Sequence, residues 1–156
     1  MSMHNWFECK IRYEKVTENG MQKKVTEPYL VDALSFTEAE ARIIEEMTPF
    51  ITGEFTVSDI KRANYSELFP SDEESADRWF KCKLIFITLD EKSGAEKKTS
   101  TQVLVQAADL RDAVKKLDEG MKGTMADYQI GMVSETPLMD VYPYSAGPND
   151  KPEFDP

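Results

Sequence analysis

The residue types that carry most enzymatic chemistry are scarce in this chain: one histidine, two cysteines and scattered carboxylates among 156 residues. A nucleophile needs a base beside it, and the single histidine, His4, stands at the N-terminus, where chains fray. Cys9 and Cys82 recur in matching pentapeptides, Trp6-Phe7-Glu8-Cys9-Lys10 and Trp79-Phe80-Lys81-Cys82-Lys83. Both fall on the apolar side of an alternating pattern, so they read as buried structural thiols rather than nucleophiles, and no disulfide is expected. With no Cys-x-x-Cys and no pair of histidines, the usual zinc sites are not expected. Glu38, Glu40, Glu45 and Glu46, and the run Asp72-Glu73-Glu74 with Asp77, could offer oxygens to a hard cation. They read more simply as a solvated helix face and a soluble linker. Ser58 and Lys61 have Ser-x-x-Lys spacing, but in a strand these side chains do not share the helical face that acyl-transfer chemistry requires. No glycine-rich phosphate loop occurs. No catalytic residue, metal ligand or cofactor is assigned.

The elements that would position any site come from an internal repeat. Beyond the two pentapeptides, Gly20 aligns with Gly94, Lys23-Lys24 with Lys97-Lys98, Leu30-Val31 with Leu104-Val105, Ala39 with Ala113 and Met47 with Met121. Residues 1–70 therefore read as a first copy and 79–143 as a second, with 71–78 an acidic linker and 144–156 a flexible proline-rich tail. In each copy apolar residues alternate with charged ones (Phe7, Cys9, Ile11 and Tyr13; Phe80, Cys82, Leu84 and Phe86), the mark of a half-buried strand. Glu18-Asn19-Gly20 and Lys92-Ser93-Gly94 supply hairpin turns. Returning strands are expected at 24–34 and 99–107, and Pro28, lacking an amide hydrogen, places its strand at an edge or a bulge. Ser35 and Asp109 sit where helix N-caps belong, and Ala39, Ile43 and Met47, like Ala113, Leu117 and Met121, share one helical face. Third strands follow at 54–63 and 127–135. The expected fold is α+β: a tandem, pseudo-symmetric pair of strand-strand-helix-strand units, mainly antiparallel, with helices on one face of the sheet.

The formal net charge of -10 argues against a globally basic nucleic-acid binder. Counted by segment it is -4 over 1–70, -3 over 71–78, -1 over 79–143 and -2 over 144–156, so half of it lies in the linker and tail. The hairpins are basic. Candidate binding residues are Trp6, Lys10, Arg12, Lys23 and Lys24 in the first copy, and Trp79, Lys81, Lys83, Lys97 and Lys98 in the second. An aromatic ring among lysines on a sheet face can hold single-stranded nucleic acid by stacking and phosphate neutralisation. The competing reading is that the lysines guard exposed strands against aggregation and that each tryptophan caps the core at a strand end.

The longest apolar run, around Leu84-Ile85-Phe86-Ile87, is far too short to span a bilayer, and the N-terminus lacks the regions of a signal peptide. With two free thiols, the expected location is the cytoplasm, away from membranes. The pentapeptides, the run from Glu27 to Met47 and above all Leu34-Ser35-Phe36-Thr37-Glu38-Ala39-Glu40-Ala41 resemble a family of short proteins of Bacteroidetes bacteria and some of their phages, known as a domain of unknown function. The resemblance spans nearly the whole chain. It implies a bacterial intracellular protein and carries over no activity. The leading expectation is a non-enzymatic intracellular interaction module with a protein partner. The alternatives are a nucleic-acid-associated protein using the basic, aromatic hairpin faces, and an enzyme with a carboxylate-based site between the repeats.

Overall fold

Alternation of apolar and charged residues draws out two long hairpins, as the sequence predicts. The first joins β1 (Trp6–Val16) to β2 (Gln22–Asp32), and its turn is closed by Thr17 N–H donating to the Met21 carbonyl at 2.8 Å, with Gly20 at a φ of 78°. That left-handed backbone is strained for a residue with a Cβ, hence the glycine. The helix α1 (Phe36–Met47) follows, then β3 (Phe55–Ala63) and the short β4 (Glu67–Phe69). The second hairpin, β5 (Arg78–Leu89) and β6 (Glu96–Ala107), leads into α2 (Leu110–Gly120), β7 (Asp127–Glu135) and the short β8 (Asp140–Tyr142). The computed structural model describes residues 5–143; His4 and the expected tail at 144–156 lie outside the described residues. The fold is α+β and mostly sheet, with two helices and two four-stranded sheets among the described residues.

The strand orders are β3-β1-β2-β8 and β4-β6-β5-β7. Long strands pair antiparallel, whereas β8 joins β2, and β4 joins β6, in parallel over three residues. These two short strands are additions to the expected strand-strand-helix-strand pattern. The chain accordingly forms two compact units. Asn64–Met139 makes one, holding β4, β5, β6, α2 and β7, and the other described residues make the unit holding β1, β2, α1, β3 and β8. Pro28 lies opposite Lys10 of β1, in a part of β2 that β8 leaves uncovered, so its missing N–H costs no ladder bond on that open side.

Both helices begin on reciprocal caps. The Ser35 hydroxyl accepts from Glu38 N–H at 3.1 Å while the Glu38 carboxylate accepts from Leu34 N–H. In the second unit Asp109 accepts from Asp112 N–H at 2.8 Å and Asp112 from Ala108 N–H at 2.9 Å. Each arrangement satisfies one N–H group of the first helical turn, which has no partner within the helix, and one of the residue before the N-cap. α1 lays Ala39, Ile43 and Met47 on Phe7, Cys9, Ile11, Val31 and Ala33, and α2 lays Ala113 and Leu117 on Phe80, Cys82, Leu84, Val103, Val105 and Ala107. On the opposite face of the sheets Trp6 with Leu30, and Trp79 with Leu104, are buried as well. β3 carries a bulge opposite Lys10/Ile11, and β7 one opposite Lys83/Leu84.

Candidate functional site

Side chains directly opposite in a ladder share a face, so the registers place every predicted binding residue. Lys10, Arg12 and Lys24 lie on the face of the first sheet away from α1, while Lys23, opposite Lys15, lies on the other. In the second sheet Lys81, Lys83 and Lys98 share the face away from α2, and Lys97, opposite Thr88, does not. The two sets differ in surroundings. Lys10 faces Asp59, Lys24 faces Glu14 and Lys61 faces Glu8, so these charges on the first sheet alternate, while Arg12 stands between Thr26 and Thr56 with no carboxylate directly opposite. Lys81 and Lys83 are flanked by Leu104 and Ser134, and by Gln102 and Met132, without a carboxylate directly opposite.

The tryptophans correct the stacking expectation. Trp6 and Trp79 do lie on the faces that carry the lysines, but they are only 2% and 5% exposed. A ring so enclosed has no open side for a base, and both serve as core caps at strand ends.

Both thiols point into the helix-covered cores. Burial first, then the charges of Glu8 and Asp59, push Cys9 up to about 12, and burial alone pushes Cys82 up to about 11, each from an ordinary 9.0. The neutral thiol is thus what the fold stabilises. This contribution is whole below about pH 9, where unfolded thiols begin to ionise, and is lost as pH rises toward the folded values. Urea midpoints are therefore expected to fall between about pH 9 and 11 and to fall less in a Cys9→Ala/Cys82→Ala protein. An equal fall in both proteins would assign the alkaline limb to other groups. Neither thiol is expected to react with a disulfide reagent near neutral pH while the chain is folded.

Two polar clusters lie apart from the candidate binding residues. In the first unit, Glu27 Oε1 accepts from Tyr13 OH at 2.9 Å and Tyr29 OH at 3.2 Å, and Lys15 Nζ stands 3.5 Å from Oε2. The carboxylate side chain is only 12% exposed. Tyr29 stacks on Tyr142 with ring centroids 6.2 Å apart. Burial, and then the Glu27 charge, pushes Tyr29 far above the usual phenol range, and burial with Asp140 and Glu46 pushes Tyr142 up to about 12. These phenols are donors, not bases. In the second unit, Lys116 Nζ is shared among Glu73 (2.8 Å), Asp112 (2.9 Å) and Ser71 (3.1 Å). All three of its donors are engaged, fastening 71–73 to α2 beside a hollow of about 580 Å³. Among the described residues no three of His, Cys, Asp and Glu converge as metal ligands.

One surface combines an opening, apolar lining and free backbone. The core stripe of α1 is Ala39, Ile43 and Met47, and the adjoining stripe at the same spacing is Glu40, Ile44 and Thr48. With Gly53–Val57 these three residues line a groove of about 610 Å³. Ile44 is exposed there, and Phe55 and Val57 are half-buried. Among the described residues β3 is the terminal strand of its sheet, paired with β1 alone. Near its far end Arg62 covers Phe7 at 5.2 Å and Phe36 at 5.9 Å, while Phe7 and Phe36 meet edge to face at 4.9 Å. The i, i+4, i+8 spacing of Glu40, Ile44 and Thr48 is the one sequence signal that marks this groove.

Neither helix is long and apolar enough to cross a membrane. No curated protein and no solved structure matches the chain. A family model described as a domain of unknown function, DUF4494, matches residues 5–144. The chain belongs to that family, DUF4494.

Proposed function

We propose that the protein is a non-enzymatic interaction module, built on two strand-strand-helix-strand repeats, that receives a protein partner at the groove between α1 and β3. The repeat reading draws support from the strand orders, which are the same when one sheet is read from its opposite end. It also draws support from bulges at Lys10/Ile11 and Lys83/Leu84 and from the two reciprocal caps. On this reading 1–70 and 79–143 are the copies and 71–78 joins them, each copy lending its last short strand to the other copy's sheet.

The observation that carries the functional reading is the groove beside an open strand edge. It contrasts with the reactive groups, since the thiols are buried, Lys116 is fully engaged and the Glu27 cluster is closed on itself. Exposed apolar residues next to unpaired backbone are typical of recognition surfaces. Panning a displayed library of random linear peptides against the folded protein tests it. Enriched peptides are expected whose binding is lost in Ile44→Glu, a surface substitution that leaves the circular dichroism spectrum unchanged. An absence of enriched peptides, or enrichment indifferent to Ile44→Glu, overturns the reading.

A second reading is favoured by one observation, the Lys81, Lys83 and Lys98 face with no carboxylate directly opposite Lys81 or Lys83. It would make this face a weak phosphate-binding surface for single strands. Its sign would be oligonucleotide retardation that declines steeply with salt and disappears in Lys81→Glu/Lys83→Glu.

A further inference from the structure

The same groove also indicates how a partner would bind and what it would be made of, an inference that rests on the interaction-module reading. A terminal strand presents a row of unpaired N–H and C=O groups along its outer edge. In β3 the stretch Phe55–Val57 precedes the Ser58 bulge, so its edge is regular, and this is the stretch that lines the groove. The fold already holds strands of this length. Glu67–Phe69 pairs with β6 and Asp140–Tyr142 with β2 over three residues each, Val141 being buried in the second case. Short strand addition is thus a geometry these sheets accept.

Charge then selects the occupant. α1 carries Glu38, Glu40, Glu45 and Glu46 against one base, Arg42, and that guanidinium donates to the carbonyls of Asp32 and Pro143. Of these four carboxylates Glu40 alone lines the groove, joined there by Glu54, and both are exposed. In an added strand, alternate side chains point to opposite faces. Those directed toward α1 meet Ile44, Phe55 and Val57 with Glu40 beside them, and those directed the other way pass Glu54 and Thr56, with Arg12 one strand further in. We infer that the edge of β3 at Phe55–Val57 binds, by strand addition, an extended segment of a partner protein in which apolar residues alternate with lysine or arginine.

Fluorescence anisotropy with synthetic peptides of about nine residues, long enough to cover the strand, tests this. Four probes are needed: valine alternating with lysine, valine alternating with glutamate, the same valines and lysines arranged in two blocks, and the alternating basic peptide N-methylated at every second amide. Only the first is expected to bind well, with the others weaker by roughly tenfold or more, and Glu40→Lys/Glu54→Lys is expected to weaken it by a similar factor. Equal binding of the acidic or block peptide, or indifference to the charge reversal, overturns the assigned chemistry. Full binding of the N-methylated peptide overturns strand addition. In each of these cases library peptides that still depend on Ile44 leave the module reading standing, whereas an absence of any peptide binding removes both. A free protein that sediments as a dimer with the β3 edge already protected from exchange would overturn the inference, because a second copy would then occupy the edge.

Discussion

Trp6→Ala and Trp79→Ala are each expected to lower the unfolding free energy by about 3–5 kcal/mol, the range for truncating a large buried side chain. Both indoles are enclosed, on sheet faces where Leu30 and Leu104 are fully buried too. Such a loss is a large part of the roughly 5–15 kcal/mol that holds a domain of this size together. Denaturant titration reads it as a lower midpoint. A ring exposed to stack on a base would behave differently, since surface substitutions usually stay within about 0.5 kcal/mol. Trp6→Phe and Trp79→Phe, which keep much of the volume, are expected to recover most of the stability. Alanine variants with unchanged midpoints would contradict the placement of these residues in the core.

Glu27→Leu is expected to cost about 2–4 kcal/mol, because it strands two phenol donors that each need an acceptor, at about 1–3 kcal/mol apiece when buried. The loss is tempered for Tyr13, whose hydroxyl is nearer solvent, and is largest at Tyr29, where burial is deeper. Lys15, half-exposed, contributes little. The decisive comparison is with Tyr13→Phe/Tyr29→Phe in the Glu27→Leu background. Removing the stranded hydroxyls is expected to restore much of the stability, so the changes are strongly non-additive. Additive losses would show that the three groups do not act as a unit.

Much of this architecture is legible in the sequence. The period-two alternation in β1 and β5, the glycines at the hairpin turns, the capping residues Ser35 and Asp109 and the i, i+4 stripes on both helices are local signals. The structure places them within a residue or two of expectation. β4 and β8 were not legible, because three residues give no usable periodicity and their partners, β6 and β2, lie far off in the chain. The burial of Trp6 was hidden for a related reason. Alternation assigned it correctly to the face of Glu8 and Lys10, but which end of that face is covered depends on tertiary packing. Leu30, opposite Glu8 and fully buried, was the available hint. The Glu27 cluster depends on register, since Glu27 stands opposite Ile11 and so joins the core face beside Tyr13 and Tyr29. The groove needs α1 and the edge of β3 to come together, and only the Glu40, Ile44, Thr48 spacing foretells it.

Charge is a second case. The total of -10 speaks against a globally basic binder, and the segment counts put half of that excess in residues 71–78 and 144–156. Register sharpens the picture further. On the first sheet Lys10, Lys24 and Lys61 stand opposite acids, whereas Glu40 of α1 and Glu54 border a groove where a partner's positive charge could settle. The first hairpin therefore offers a phosphate less than its composition implies.

Backbone amide exchange along β3, followed by NMR with and without a saturating library-selected peptide, tests the central claim most directly. In the free protein, amides of Phe55–Ala63 directed toward β1 should be protected, and the alternate, outward ones should exchange fast. Binding should slow the outward amides around Phe55–Val57 while leaving β7 and the Lys81 and Lys83 face unchanged. Protection that appears on the lysine face instead, or an outward edge unaltered by bound peptide, would contradict the account.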